Sequence, residues 1–383
     1  MLSSPESLSV ALITRDGLVA DLALGPRRFV EAASSLEALP YAEALARVPR
    51  IFALCRHAQN VCAIRAVEHA FGASASSAAE LVRDVGVLLE RAESHALALF
   101  VDLPSAMGLP PDLSVLQRLR GRTAELWQTL GRSALMPFAP EPDDRAPART
   151  CFALVRQLET VTEQILPRAA TASAAAWRAW IEGDRSPLAL ALRQALPITQ
   201  TLGDVEARGL STVDERDVVR FLRSAEVAEL KRPMLAGRVR ETGAWARCQT
   251  HPLVTGVTAE LGRAMARLAA RMLELVESPS AIAHRLDTPV GPHAMPEAPR
   301  TPSGHGLAVV ECARGLLAHD VTVASGQIAR WRILAPTEWN FHPDGVFRES
   351  LVGSPALGAA ARARVLGASL DPCVPLRVEV EHA

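Results

Sequence analysis

The most constraining feature of the chain is its stretch 311–345, ECARGLLAHDVTVASGQIARWRILAPTEWNFHPDG. Two alternating runs, LAHDVTVA and QIARWRIL, flank Ser325-Gly326. Alternation with period two around such a pair predicts a β-hairpin. An Arg-Gly turn opens the stretch, and Pro336-Thr337-Glu338-Trp339-Asn340-Phe341-His342-Pro343 closes it as a loop. Taken alone, this is sheet and loop and carries no chemistry.

The 383 residues include 41 basic and 42 acidic side chains, a formal net charge of −1. That length can bury a large core and hold two or three domains. The balance argues against nucleic acid as a partner, because phosphate binding needs a clustered basic surface. Arginines are interleaved with acids, as on solvated helix faces. The six cysteines, Cys55, Cys62, Cys151, Cys248, Cys312 and Cys373, form no Cys-x-x-Cys pair. The first residues lack the basic and apolar regions of a signal peptide, so the even count gives no warrant for a disulfide framework. No apolar run reaches the roughly 18 residues of a membrane span. The expectation is a soluble, cytoplasmic protein with reduced thiols and no membrane partner.

Residues 8–14 and 18–24 alternate around Asp16-Gly17, which predicts a second hairpin. Most of the remainder reads as helix: 41–48 ending at Pro49, 56–71 stopping at Gly72, 76–99, 112–130, 150–180 with a break at Pro167, 214–230, 254–276 and 355–366. In 112–130, Leu113, Leu116, Leu119, Leu126 and Leu130 define a core face. Residues 136–149 read as a loop and the proline-rich 278–306 as a connector. The fold class is mainly α (α+β), a helical core with small β-hairpin lobes near both termini. We divide it into an N-terminal hairpin (1–24), a helical core (25–300) and a C-terminal hairpin with a cysteine tail (301–383), in one compact unit.

Three groups of residues stand in a telling order. They are Arg50-Ile51-Phe52-Ala53-Leu54-Cys55; Glu311, Arg314 and Gly315 with Pro336, Thr337, Trp339, Asn340 and Phe341; and Asp371-Pro372-Cys373. Over roughly residues 9–373 the chain resembles the large subunits of nickel–iron hydrogenases. Their matching patterns are Arg-Ile-Cys-Gly-x-Cys, Glu-x-x-Arg-Gly, Pro-Thr-x-Trp-Asn-Phe and Asp-Pro-Cys-x-x-Cys-x-x-His. The resemblance implies a hydrogenase-large-subunit-like fold whose two ends meet at a buried metal site. In that family four thiolates, two from each end, hold nickel and an iron that carries two cyanides and one carbon monoxide. Thiolate suits these soft metals.

Two of the four thiolate positions are occupied here by Phe52 and Leu376, leaving Cys55 and Cys373. In the family the first cysteine of each pair is terminal to nickel and the second bridges to iron, so Cys55 stands at a bridging position and Cys373 at a nickel-terminal one; we read these two together as the ligands of a lone iron. It gives Arg314 the role of donating to the cyanide nitrogens, for which a permanently charged planar fork is suited. It places Thr337 beside the diatomic ligands and puts Gln59 where the family often has histidine. A neutral amide can donate a hydrogen bond there but cannot shuttle protons. Glu6 aligns with a family glutamate implicated in proton transfer, without the glycine and histidine that follow it there. Ten residues follow Cys373 without the family's histidine spacing, so no nickel-dependent cleavage of a tail is expected.

Other residues have plainer readings. Cys62 lies seven residues after Cys55, about 10.5 Å along a helix, too far for a shared metal. It reads as a small buried residue, as do Cys151 and Cys248. Cys312 sits where it could approach the site or pack in the core. His57 reads as a solvated helix start and His95, in a helix similar to one lining the family's core, as a satisfied core residue. Glu241-Thr242-Gly243-Ala244-Trp245-Ala246-Arg247 resembles the family's Glu-x-Gly-x-x-Ala-Arg. There Gly243 would permit close backbone approach, and Arg247 would pair with Glu241 or another acid.

The half-emptied metal site identifies the chain as a member of the maturation-type branch of the family, the group called HupK or HoxV. The function implied is a scaffold, not an enzyme. It transiently holds the Fe(CN)2(CO) unit between Cys55 and Cys373, without nickel, before transfer to the catalytic large subunit. The implied partners are the large-subunit precursor and the chaperones that deliver the iron unit. Three rival readings remain open: a working subunit with nickel and a small iron–sulfur partner, a degenerate metal-free interaction platform, and a reversible Cys55–Cys373 disulfide in the empty protein.

Overall fold

Three small sheets are set into a helical body in the computed structural model, which describes residues 7–25, 29–131, 133–139, 148–203, 205, 208–211, 214–288, 304–372 and 374–382. In chain order the strands are β1 (Leu8–Arg15), β2 (Leu18–Leu24), β3 (Gly209–Leu210), β4 (Glu241–Thr242), β5 (His305–Cys312), β6 (Gly315–Ala324), β7 (Gln327–Leu334) and β8 (Leu376–His382). The helices that position the site are α1 (Tyr41–Ile51), α2 (Arg56–Ala70), α3 (Ser77–Leu97), α4 (Leu113–Leu130), α5 (Ala148–Ile165), α6 (Arg263–Asp287), α7 (Pro336–Asn340) and α8 (Ala359–Leu370).

The N-terminal hairpin forms as expected, with Asp16 and Gly17 turning the chain at φ 50° and 76°. Leu8, Val10 and Leu12 point inward and are buried. The sequence reading missed β8. It runs parallel to β1, from Leu8 opposite Leu376 to Thr14 opposite His382. The sheet order β2-β1-β8 therefore joins the beginning of the described chain to its end.

The hairpin around Ser325-Gly326 is β6–β7, and β5 adds a third antiparallel strand that the sequence reading also missed. One face of this sheet packs on α1 and α2 through Val310, Leu317, Val321 and Ile333. The other packs on Trp339 and the helix Glu215–Ser224 through Leu307, Val309, Leu316 and Ala318. Covered on both sides, β5 and most of β6 are buried almost continuously instead of alternately. The approach of α2 to β5 is close. A Cβ at Gly306 would lie 1.9 Å from the Ala66 carbonyl oxygen and 2.3 Å from the Ala70 nitrogen.

Helices α3 and α6 form the centre of the helical body. Serine and aspartate start two of the helices as caps: Ser76 Oγ accepts from the Ala79 N–H at 3.2 Å, and Asp112 Oδ1 accepts from the Val115 N–H at 3.3 Å. Five expectations need correction. The stretch 336–343, expected as a loop, opens with the helical turn α7, and the helix expected over 214–230 is two, Glu215–Ser224 and Val227–Leu230, parted at the extended Ala225. Leu113 is 53% exposed, while Leu116, Leu119 and Leu126 are buried, because position 113 lies at the helix start, off the core stripe. The helix expected over 254–276 is two helices, split at Gly262 with φ 82°. The connector expected over 278–306 begins as helix, since α6 passes through Pro279 and ends at Asp287. Proline cannot donate to the Leu275 carbonyl; the Ser278 hydroxyl does so instead, at 2.8 Å. Residues 289–303 of that stretch lie outside the described residues. Among the described residues no helix is long and apolar enough to cross a membrane.

Two glycines test this packing. Gly306→Ala is expected to lower stability by about 1–3 kcal/mol or more through overpacking of α2 on β5. Gly121→Ala, in α4 with nothing within 4 Å of its added Cβ, is expected to raise it by roughly 0.5–1 kcal/mol. Thermal melts of the two variants should therefore shift in opposite directions.

Candidate functional site

Cys55 ends a short 3-10 turn, Ala53–Cys55, and occupies the N-cap of α2. It is buried, at 5% exposure. Phe52, three residues earlier, is also buried and belongs to the apolar cluster of α1, α2 and the β5–β7 sheet. One turn into α2, Gln59 Oε1 accepts from His319 Nε2 at 2.7 Å. The direction follows from the other ring nitrogen: Trp331 Nε1–H, a donor only, donates to His319 Nδ1 at 3.2 Å. His319 is therefore the neutral Nε2–H tautomer, and burial pushes its pKa down to about 3. The Gln59 oxygen is committed to structure; its amide N–H groups are what it can offer elsewhere.

Arg314 is held in place by its backbone. The next residue, Gly315, has φ +128°, and a Cβ there would lie 2.2 Å from Thr242 Oγ1. Gly243, at φ +119°, would bring a Cβ to 3.0 Å from the Arg314 carbonyl oxygen. The close approach expected at Gly243 is thus real, and both positions need glycine. Thr242 Oγ1 accepts from the Leu316 N–H at 2.9 Å and donates to the Leu210 carbonyl at 3.0 Å. Asn340 Oδ1 accepts from the Thr242 N–H at 2.9 Å, and its Nδ2 reaches the Arg314 carbonyl at 3.4 Å. The Pro-Thr-x-Trp-Asn-Phe segment therefore clamps the Arg-Gly turn.

The Arg314 side chain is 2% exposed. Its Nε and Nη2 donate to Asp371 Oδ1 at 3.1 and 2.9 Å. Asp371 caps α8 in the left-handed region, at φ 57°, and its Oδ2 accepts from Arg271 Nη1 at 3.2 Å. Arg271 also donates to His95 Nδ1 at 3.2 Å, and His95 Nε2 donates to Glu274 Oε2 at 2.7 Å. Arg247 binds Glu274 through Nε and Nη2 at 2.5 and 2.7 Å, and Glu311 through Nη1 at 2.5 Å. It also donates to the Cys312 and Ala313 carbonyls, at 3.0 Å each. The circuit thus closes on the residues just before Arg314.

Burial opposes the Glu274 carboxylate, but Arg247, His95 and Arg91 outweigh it and hold its pKa well below the usual range. Burial pushes His95 down to about 4 despite Glu274, so it is neutral. This is the satisfied core histidine that was expected. Arg247 pairs with Glu274 and Glu311, whereas Glu241 pairs with Arg267 at 2.7 Å.

A cavity of about 460 Å³ opens beside this circuit. Leu54, Asp102, Arg314, Asp371, Pro372 and Val374 are among its lining residues. Cys373 lies outside the described residues, but its chain neighbours on both sides line the cavity, as does the residue preceding Cys55. The three landmark segments therefore converge. Leu376 also lines the wall. Asp102 ends a π-helical turn, Ala98–Asp102, that follows α3. Desolvation by the surrounding protein, and then Asp371, push its carboxyl up to about 6. Gln59 and Thr337 do not line the cavity. Thr337 is 2% exposed, and among the described residues its hydroxyl has no hydrogen-bond partner.

His57 corrects its expectation. It is not a solvated helix start: its ring meets Trp127 edge-on at 4.5 Å, and Nε2 reaches the Arg83 carbonyl at 3.2 Å. Burial pushes it down to about 4. Gly86 makes room for it, since a Cβ there would sit 2.1 Å from His57 Nε2. Cys62 is the expected packed thiol, donating to the Ala308 and Leu317 carbonyls at 3.3 and 3.7 Å; burial raises its pKa. Cys151 is buried, and burial pushes Cys248 up to about 12. Cys312 is buried at the end of β5. Glu6 lies outside the described residues.

Sequence reasoning missed Glu90 of α3. Its Oε2 and Oε1 accept from the His57 and Ala58 N–H groups at 2.7 and 3.0 Å. Burial pushes its pKa up to about 7 against the pull of those bonds and of Arg314. No local pattern signals it, because its partners are 33 and 32 residues away. Asp371 and Asn340 were visible as motif letters, but not as the groups that hold Arg314.

With this geometry in view, similarity to known proteins can be weighed. The chain is 31% identical to the hydrogenase expression/formation protein HupK of Bradyrhizobium diazoefficiens, over 100% of this chain and 99% of that protein. The chain belongs to this family. It is also 31% identical to the expression/formation protein HoxV of Cupriavidus necator, covering 87% of this chain and 86% of HoxV. The sequence model of the nickel-dependent hydrogenases matches residues 237–375. Solved structures that share the fold include an NAD+-reducing nickel–iron hydrogenase (TM-score 0.66, 17% identity) and the Ni-Fe-Se hydrogenase from D. vulgaris Hildenborough (0.58, 16%). Each match covers 94% of both chains. The helical, hydrogenase-large-subunit-like architecture of this HupK/HoxV-type chain is therefore established.

The buried histidines have a pH signature. His95 and His319 keep folded pKa values below 6.5, so below that pH only the unfolded chain takes up their protons. Each then removes about 1.4 kcal/mol of stability per pH unit. In an NMR titration of the native protein between pH 8 and pH 5, both imidazoles should stay neutral; titration near 6.5 would contradict the assigned tautomers.

Proposed function

We propose that this HupK/HoxV-type chain is a scaffold in the maturation of nickel–iron hydrogenase. It transiently holds the Fe(CN)2(CO) unit between Cys55 and Cys373 and passes it to the catalytic large subunit. The unit is cargo, received from delivering chaperones and released to the large-subunit precursor, so the chain itself catalyses no hydrogen chemistry. The observation that carries this reading is the cavity onto which the Cys55, Arg314 and Cys373 segments open.

The residues suit such a cargo. In the contacting cluster, four guanidiniums (Arg91, Arg247, Arg271 and Arg314) face three carboxylates (Glu274, Glu311 and Asp371), with His95 neutral. Asp102 on the cavity wall adds a fourth carboxyl, so the cluster carries no positive excess, and an anionic guest would rely on Arg314 itself. Arg314, fixed from behind by Asp371, presents a charged donor to a cyanide nitrogen. Thr337 and Gln59 do not line the cavity; a guest held there would contact Arg314, and would reach the buried Thr337 hydroxyl and the Gln59 amide only by seating deeper than the cavity wall. Hydrocarbon stands where the family's two further thiolates would be: Phe52 packs in the core and Leu376 lines the cavity wall. That leaves two thiolates, Cys55 at a bridging position and Cys373 at a nickel-terminal one, too few for a nickel–iron pair but enough to hold a single iron that brings its own diatomic ligands. Transfer is ligand exchange, each iron–sulfur bond to this chain being replaced by one to the recipient. Two such bonds are released more readily than four.

Infrared spectroscopy of protein isolated without oxygen from hydrogenase-producing cells tests the reading. Cyanide and carbonyl stretches are expected, with iron and without stoichiometric nickel. Cys55→Ser and Cys373→Ser should each reduce the band intensity at least tenfold. Arg314→Lys should move the cyanide bands, because a point charge replaces a planar fork. Absent bands, bands undiminished in both cysteine variants, or one nickel per chain would overturn the proposal.

A further inference from the structure

The start of α2 departs from the usual way of ending a helix. A helix leaves its first N–H groups without internal partners, and the N-cap side chain normally accepts from the second or third of them. Here the N-cap is Cys55, whose side chain makes no capping hydrogen bond. The second and third N–H groups, those of His57 and Ala58, are instead both taken by Glu90 of α3, at 2.7 and 3.0 Å. One carboxylate, reaching across from another helix, does the work of the missing cap.

We propose that Glu90 is a positioning residue for Cys55. By capping α2 from α3, it fixes the first turn of the helix without drawing on the N-cap side chain as a cap, and so sets where the Cys55 thiol sits. Serine or aspartate at position 55 would cap well but provide no thiolate; cysteine provides the thiolate but caps poorly. Glu90 resolves that conflict and locks the ligand to α3, the helix that also carries His95 and, through it, Arg271 and Asp371. The capping part stands on hydrogen bonds alone. The ligand-positioning part rests on the carrier reading above.

Hydrogen–deuterium exchange of the full-length, empty protein tests the cap, because nothing else within α2 protects these two amides. Glu90→Ala should speed exchange at His57 and Ala58 at least tenfold, with mid-helix Ile64 unchanged. Glu90→Gln, isosteric and safer for folding, should release one of the two amides, since its NH2 group cannot accept. Adding Cys55→Ser to Glu90→Ala should bring exchange back to within about threefold of wild type, because serine caps locally. Unchanged exchange in Glu90→Gln and Glu90→Ala, or no rescue by Cys55→Ser, would overturn the cap. In protein isolated with its iron unit, Glu90→Gln should shift the carbonyl band or lower its intensity several-fold. Released amides with an unaltered band would overturn the positioning role. A wild-type protein without bands would count against the carrier reading, while the amide pattern would still decide the cap.

Discussion

The ion pair between Arg314 and Asp371 is the constraint on which the site depends. Both groups are almost wholly buried, and an isolated buried charge is costly. The pair persists because neither charge ends there. Asp371 shares itself with Arg271, which reaches His95, then Glu274, then Arg247, and Arg247 returns to the carbonyls just before Arg314. Removing one partner of such a pair typically costs about 3–5 kcal/mol, because it strands the other. The circuit therefore behaves as a set. It ties the end of α8 to α6, α3 and the Arg-Gly turn, and it makes the segment leading to Cys373 part of the core.

A second constraint acts on the chain ends. Parallel strands cannot be joined by a tight turn, and here nearly the whole chain serves as the connection between β1 and β8. That pairing, with the burial of α2 against β5, brings the Cys55 region and the residues around Cys373 to one cavity. A site assembled from both ends exists only once the body between them has folded. This is consistent with the proposed scaffold role, in which the iron unit would be received by the folded protein.

Much of this was legible in the sequence where the cause was local. Ser325-Gly326 and Asp16-Gly17 mark their hairpins, and Ser76 and Asp112 mark their helix starts, because turn and cap chemistry act within a few residues. The failures share a different cause. Leu376–His382 alternates like a strand, yet its partner is β1, hundreds of residues away. Helix α6 continues past Pro279 because burial and Ser278 compensate for the lost hydrogen bond. His57 looked like a solvated residue because nothing in its neighbourhood announces that Gly86 leaves a slot for its ring. In the site, the landmark letters Cys55, Arg314, Asp371 and Asn340 were all readable. Their mutual contacts, and the part played by Glu90, emerge only from packing.

The central claim is that two sulfurs from opposite ends of this polypeptide hold a single iron. X-ray absorption at the iron edge of the loaded protein tests it most directly. Two sulfur neighbours per iron are predicted, falling to one in Cys55→Ser and to one in Cys373→Ser. Iron without sulfur neighbours, or a sulfur count that neither substitution changes, would contradict the account.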